Sequence, residues 1–272
     1  MDLIKKSSLK TLLGRSNHSV LIVLAVAFFY FPLLTLQKHL TWDSLDYSFP
    51  LAVYLRDSLR AGVWPLWNPF ILSGDAVFAH PAVSAYHPLY FLIAALPEGV
   101  DLLLVFQLLL GTLPFIGAFG FRRLLSVLNL SEVSKTVGAS IYGITIFGPL
   151  LGQLQIAFGL AVFPWFLSSA TRTLLSQEFS ARPVLRLSVL GAIYFYGAYF
   201  GTILYSVCFS IPFLITLALR SKLRARQLLP GLAGLLASGV VVVGLAMPHL
   251  IPAFENRDFF YSAIDPDFVS PD

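Results

Sequence analysis

Asp43 and Asp46 stand three residues apart, on one face if the segment is helical, and a carboxylate so placed can take a proton from a substrate hydroxyl. The competing reading is local: one caps the helix that follows and the other is solvated. Asp75, after Ser73 and Gly74, is a second acid or a metal ligand, and His80 and His87 are near enough in sequence to join it. Both histidines precede a proline, which equally suits turn residues. Without a tight spacing such as His-x-x-x-His no metal is assigned, and a divalent ion is the lesser alternative. Lys38, Arg56, Arg60 and Arg257 are the cations suited to hold a phosphate. Arg56 and Arg60 could equally pair with Asp57 or with lipid headgroups. His249 is the one ionisable group inside a long apolar stretch near the C-terminal end, so it should face protein or water.

The elements that must position these groups are membrane helices. Hydrophobic residues make up 57% of the 272 positions and charged ones 12%, about half the share of a soluble domain. Uncharged runs recur that are long enough to cross a hydrocarbon core of about 30 Å. Residues 19–36 carry no charge and follow Lys5, Lys6, Lys10 and Arg15, the pattern of an uncleaved anchor entering from the cytoplasm. A second span is expected over 101–121. The 36 uncharged residues of 136–171 would make one helix about 54 Å long, so they should cross twice and turn near Gly152 to Gln155. Residues 187–219, flanked by Arg186 and by the cluster from Arg220 to Arg226, should also cross twice, turning around Gly197 to Gly201. A last span is expected over 227–254, leaving an acidic tail at 255–272.

The expected fold is therefore all-α: a single polytopic transmembrane domain of about seven helices, N-terminus cytoplasmic and C-terminus extracytoplasmic, in a bacterial cytoplasmic membrane. On that topology 14 of the 18 Lys and Arg residues lie inside and 11 of the 14 acids outside. The net charge of +4 does not argue for nucleic acid, and the single cysteine, Cys208, permits no intrachain disulfide. Arg122, Arg123 and the Arg220 cluster read as topology determinants. Oligomeric state is not legible.

Residues 37–99 form a long extracytoplasmic loop rich in Trp, Tyr, Pro and Gly. Within it 50–62 places Leu51, Tyr54, Leu55, Ser58 and Leu59 on one helical face and Arg56, Asp57 and Arg60 opposite, as in a helix lying in the membrane interface. The string Asp43-x-x-Asp46-x-x-x-Pro50, then Leu59-Arg60-x-Gly62-x-x-Pro65-Leu66-Trp67-Asn68-Pro69, then Gly74 and Tyr86-x-Pro88-Leu89, resembles the first outer loop of the YfhO-like bacterial membrane proteins. That family is related to the type C glycosyltransferases.

The resemblance implies transfer of a sugar from a polyprenyl-phosphate carrier to an envelope lipid or polymer on the extracytoplasmic side. The sugar-loaded lipid would be donor and partner, the membrane lipids the other partners, and no further cofactor is implied. It points to Asp43, with Asp46, as the acid–base group. Asp75, Arg56, Arg60, His80, His87, Trp67, Asn68, His249 and Arg257 would then surround the substrate. Gln153 and Gln155 would line the same cavity or satisfy a tight turn. Members of the family are usually much longer, so a truncated or split member is expected. The rival is a non-catalytic component, such as a lipid or polymer flippase or an assembly partner.

Overall fold

The structure, a computed structural model, describes residues 17–70, 74, 77, 86–145, 150–221 and 223–255. Among these residues there are ten α-helices, one π-helical turn and no strand. In chain order the helices are α1 Asn17–Phe29, α2 Phe31–Leu34, α3 Phe49–Arg60, α4 Pro88–Ala94, α5 Leu102–Val127, α6 Glu132–Thr145, α7 Leu154–Leu174, α8 Ala181–Gly197, α9 Phe200–Arg220 and α10 Ala225–Glu255, with the π turn at Ser44–Ser48.

Four of them, α5, α7, α9 and α10, are long and apolar enough to cross a membrane. The architecture is that of a helical membrane protein. The other apolar stretches form shorter helices: α6 has 14 residues and α8 has 17, or about 21 to 26 Å against a core of about 30 Å. The first stretch is divided. Pro32 has no N–H and its ring opposes the carbonyl four residues back, so α1 gives way at Tyr30 to the single turn of α2.

Local chemistry fixes the helix ends. Asp101 caps α5, its carboxylate accepting the Leu104 N–H at 3.0 Å. Asn129, at φ 56°, closes the same helix in the left-handed region. α3 ends at Gly62 (φ 72°), where the Gly62 and Val63 N–H groups return to the carbonyls of Leu59 and Ser58. The prolines inside α5, α7, α9 and α10 are of the kind membrane helices tolerate, because neighbouring elements compensate the lost bond.

The core is built on α5 and α7, with α6 on one flank and α8 and α10 on the other. Small residues set the spacing. A Cβ on Gly143 of α6 would lie 3.1 Å from the Pro114 carbonyl of α5, and one on Gly231 of α10 would collide with the Leu174 carbonyl at the end of α7. Among its own residues α9 buries Ser210 alone; it is held to α8 by the Tyr194 and Ser206 hydroxyls.

Candidate functional site

The chain leaving α2 is stapled to the turn that precedes α7. Ser44 donates its N–H to the Gly152 carbonyl at 2.7 Å and its hydroxyl to the Leu151 carbonyl at 2.8 Å. This brings Asp43 to Gln153, whose Nε2 donates to the carboxylate at 3.5 Å across 110 residues of sequence. Asp43 is exposed and occupies the N-cap position of the π turn, but its side chain makes no capping bond, and the N-cap of α3 is Ser48. The capping alternative is thus not taken by either acid.

The π turn also separates the two acids. A π turn carries more residues per turn than an α turn, so positions three apart no longer stack. Asp43 reaches Gln153, whereas Asp46 lines a separate groove of about 980 Å³ along α3, with Tyr47, Tyr54, Asp57 and Asn68.

Beside Asp43 lies a cavity of about 430 Å³ lined by Tyr30, Lys38, His39, Trp42 and Gly152, among others. Its floor is organised by a residue that sequence reading missed, Gln107 of α5. Buried within the helix bundle, Gln107 donates to the carbonyls of Leu33 at 3.1 Å and Lys38 at 2.9 Å, and its oxygen faces His39 Nδ1 at 3.4 Å. The signal was present: an amide inside an apolar span must find partners, and these are the backbone after α2. Trp42 sits at φ 63°, a strained value for a bulky side chain, held by the Leu45 and Asp46 N–H groups on its carbonyl.

The remaining predicted residues do other work. Arg56 donates to the Pro97 carbonyl at 3.5 Å and lies 4.0 Å from Asp57; Arg60 pairs with Glu98 at 3.3 Å and also donates to the Leu96 carbonyl. Both arginines therefore tie α3 to the segment after α4, at the far end of a 12-residue helix from Asp46. Asn68 is buried and accepts the Phe70 N–H at 3.0 Å, closing a local turn. Trp67 is half exposed; its carbonyl takes the Tyr54 hydroxyl, and its ring lies where a side chain on Gly74 would have to be. Gly74 has φ 118°, a conformation that also calls for glycine.

His87 is fully buried. Its Nδ1 accepts the Leu89 N–H at 3.2 Å, capping α4, and its ring packs edge-on against Phe158 of α7 at 4.7 Å. Burial lowers its pKa from 6.5 to about 3, against the smaller opposing pull of the Gly197 backbone. It is a neutral packing histidine that locks the loop onto α7 and α8. Gln155 likewise reaches the Tyr90 hydroxyl, at 3.5 Å. His249 of α10 faces protein: Tyr86, Phe195 and Tyr196 surround it edge-on at 6.0 to 6.4 Å. Asp75, His80 and Arg257 lie outside the described residues.

Lys38 and His39 thus line a cavity large enough for a sugar ring, and the exposed Asp43 and the Gln153 joined to it directly follow Trp42 and Gly152 of its wall. Comparison with family models, with curated proteins and with solved structures finds no match.

Proposed function

We propose that this chain is a membrane glycosyltransferase of the type C kind, resembling the YfhO-like proteins, acting at the end of the bundle that carries residues 37–99. The observation that carries the reading is the exposed Asp43 carboxylate beside Gln153 and the Lys38–His39 cavity. In the proposed reaction Asp43 accepts the proton of the acceptor hydroxyl and later releases it to solvent. The acceptor oxygen bonds to the anomeric carbon, and the bond from that carbon to the phosphate oxygen breaks. The electron pair leaves with the polyprenyl phosphate, whose charge Lys38 is placed to offset. Asp43 is the catalytic group of this reading, and Asp46, in its own groove, is a substrate contact.

The proposed topology has seven crossings, with α1, α6 and α8 as the short ones, the N-terminus cytoplasmic and the cavity extracytoplasmic. Cysteine labelling at Ser73 and Ser221, in a chain lacking Cys208, should find the first outside and the second inside; a shared side would sink it. The activity is tested by the glycolipid and envelope-sugar profile of cells expressing wild type, Asp43→Asn or neither, at matched membrane levels. A sugar modification present with wild type alone supports the transferase, with a loss of at least about 100-fold in the variant.

A second reading, a non-catalytic scaffold or flippase, is favoured by one feature. An apolar cleft of about 390 Å³ lies among α7, α8, α9 and α10, where α9 packs loosely, and would accept a lipid chain. A profile changed by the protein but not by Asp43→Asn selects this reading.

A further inference from the structure

At the opposite end of α7, about 30 Å from Gln153 by helix length, three arginines surround a cavity of about 310 Å³. Arg172 comes from the last turn of α7 and Arg182 and Arg186 from the first turns of α8, with Ser169, Thr173 and Ser176 completing the wall. Among the described residues none of the three arginines has a carboxylate partner: the ion pairs involve Arg56, Arg60, Arg122 and Lys135. A fourth arginine, Arg123 of α5, is within coulombic reach of Arg172 and Arg186 and stacks over Trp165 at 5.5 Å. Arg172, Arg182 and Arg186 are exposed, so solvent and salt screen part of their mutual repulsion, and a bound anion would offset the rest.

A second observation is independent of charge. Some hydroxyls inside these helices return to the carbonyl four residues back, as Ser126 does to Arg122, Ser188 to Val184 and Ser238 to Gly234, whereas the buried Ser168, Ser169 and Thr171 of α7 and Ser210 of α9 have no hydrogen-bond partner among the described residues. Ser169 is the one of these at the arginine cavity. It is 4% exposed, lines the arginine cavity, and its Oγ has no hydrogen-bond partner among the described residues. At the wall of a cavity, a buried donor left open in this way is able to take a partner from outside the chain. Ser180, the N-cap of α8, makes no side-chain capping bond either, so the start of that helix adds its positive end to the same side.

We propose that this cavity binds a phosphate group, as the headgroup of an anionic lipid or as a free phosphate, with Arg182 and Arg186 as the principal ligands and Ser169 as a neutral donor. Guanidinium forks suit the paired oxygens of a phosphate monoester. The site is independent of the sugar-transfer reading, since it lies at the other end of α7 and shares no residue with the Asp43 cavity.

The test is thermal unfolding of the full-length protein in neutral detergent, titrated with a short-chain phosphatidic acid, with inorganic phosphate, or with a short-chain phosphatidylcholine. A phosphate site predicts a rise of about 5 °C or more at a hundredfold excess over Kd, with no rise for phosphatidylcholine. A rise with phosphatidic acid alone identifies a lipid headgroup, and an equal rise with inorganic phosphate identifies a free phosphate. The Arg182→Gln/Arg186→Gln double variant should lose the shift, whereas Arg220→Gln, a basic residue outside the cavity, should keep it. If the double variant is not monodisperse, the two single variants carry the comparison, each expected to weaken binding about tenfold. Absence of any shift with either phosphate, a shift retained in the arginine variants, or equal loss in Arg220→Gln would overturn the site.

Discussion

Arg56 and Arg60 at one end of the bundle and Arg172, Arg182 and Arg186 at the other are the same residue type in opposite conditions. The first two meet the carbonyls of Leu96 and Pro97 and the carboxylate of Glu98, so their donors hold α3 to the chain after α4. The other three ring a cavity, with no acid partner among the described residues. His87 belongs with the first group: one ring nitrogen caps α4 and the ring fills the contact with Phe158. An exceptional place for a cation in the sequence is therefore a poor guide to ligand binding. What matters is whether the fold supplies the cation with partners, and at the loop end it does.

The largest effect expected from that contrast is at His87. His87→Ala removes a fully buried ring and a helix cap together, and should destabilise the chain by about 3 kcal/mol, read as a lower midpoint in thermal or denaturant unfolding. A ligand-binding histidine at an open site would cost far less. The next is its pH dependence. Because burial lowers the folded pKa to about 3 while the unfolded chain titrates near 6.5, the unfolded state binds more protons between these values. Stability should be complete above pH 6.5 and fall with acid, by up to about 1.4 kcal/mol per pH unit across the window from 6.5 towards 5, before most carboxylates titrate. His87→Gln should flatten that slope, and an unchanged slope would show that His87 is not held neutral.

Parts of this arrangement were legible in the sequence. The charge-free stretches did become helices, and the two that were too long for one crossing each contain a break, before Leu154 and between Gly197 and Phe200. Of the apolar face expected over 50–62, Leu51 and Leu55 are buried, together with Ala52, while Tyr54, Ser58 and Leu59 are partly exposed. Hidden from the sequence was anything that depends on one segment finding another. The anchor expected over 19–36 is divided at Pro32, and nothing in the sequence showed that Gln107 would bind the carbonyls beyond the break. The spacing of Asp43 and Asp46 suggested a shared face, and a π turn undid it. Ser169 reads as an ordinary helix serine until its missing carbonyl bond is seen in three dimensions.

Smaller effects separate the two arginine groups directly. Arg60→Ala leaves the Leu96 carbonyl and Glu98 without their donor and should cost about 1 kcal/mol, since the guanidinium is one-third exposed and part of the pair is screened. Arg182→Gln, measured without added phosphate, should cost nothing or raise the unfolding midpoint slightly, because it removes repulsion and breaks no bond to the chain. A loss as large as that of Arg60→Ala would mean that Arg182 has a partner within the protein and would erase the contrast.

The smallest expected effect is at Glu98, whose side chain is 92% exposed. Glu98→Gln keeps the shape and removes the charge, so only the screened ion pair with Arg60 is lost, within about 0.5 kcal/mol. Arg60 retains its bond to the Leu96 carbonyl, which does not depend on Glu98. If Glu98→Gln proved as damaging as Arg60→Ala, the tie between α3 and the chain after α4 would be electrostatic, and high salt should loosen it. A small effect, insensitive to salt, would place the tie in the carbonyl bonds, where an arginine serves the backbone and is no longer free for a phosphate.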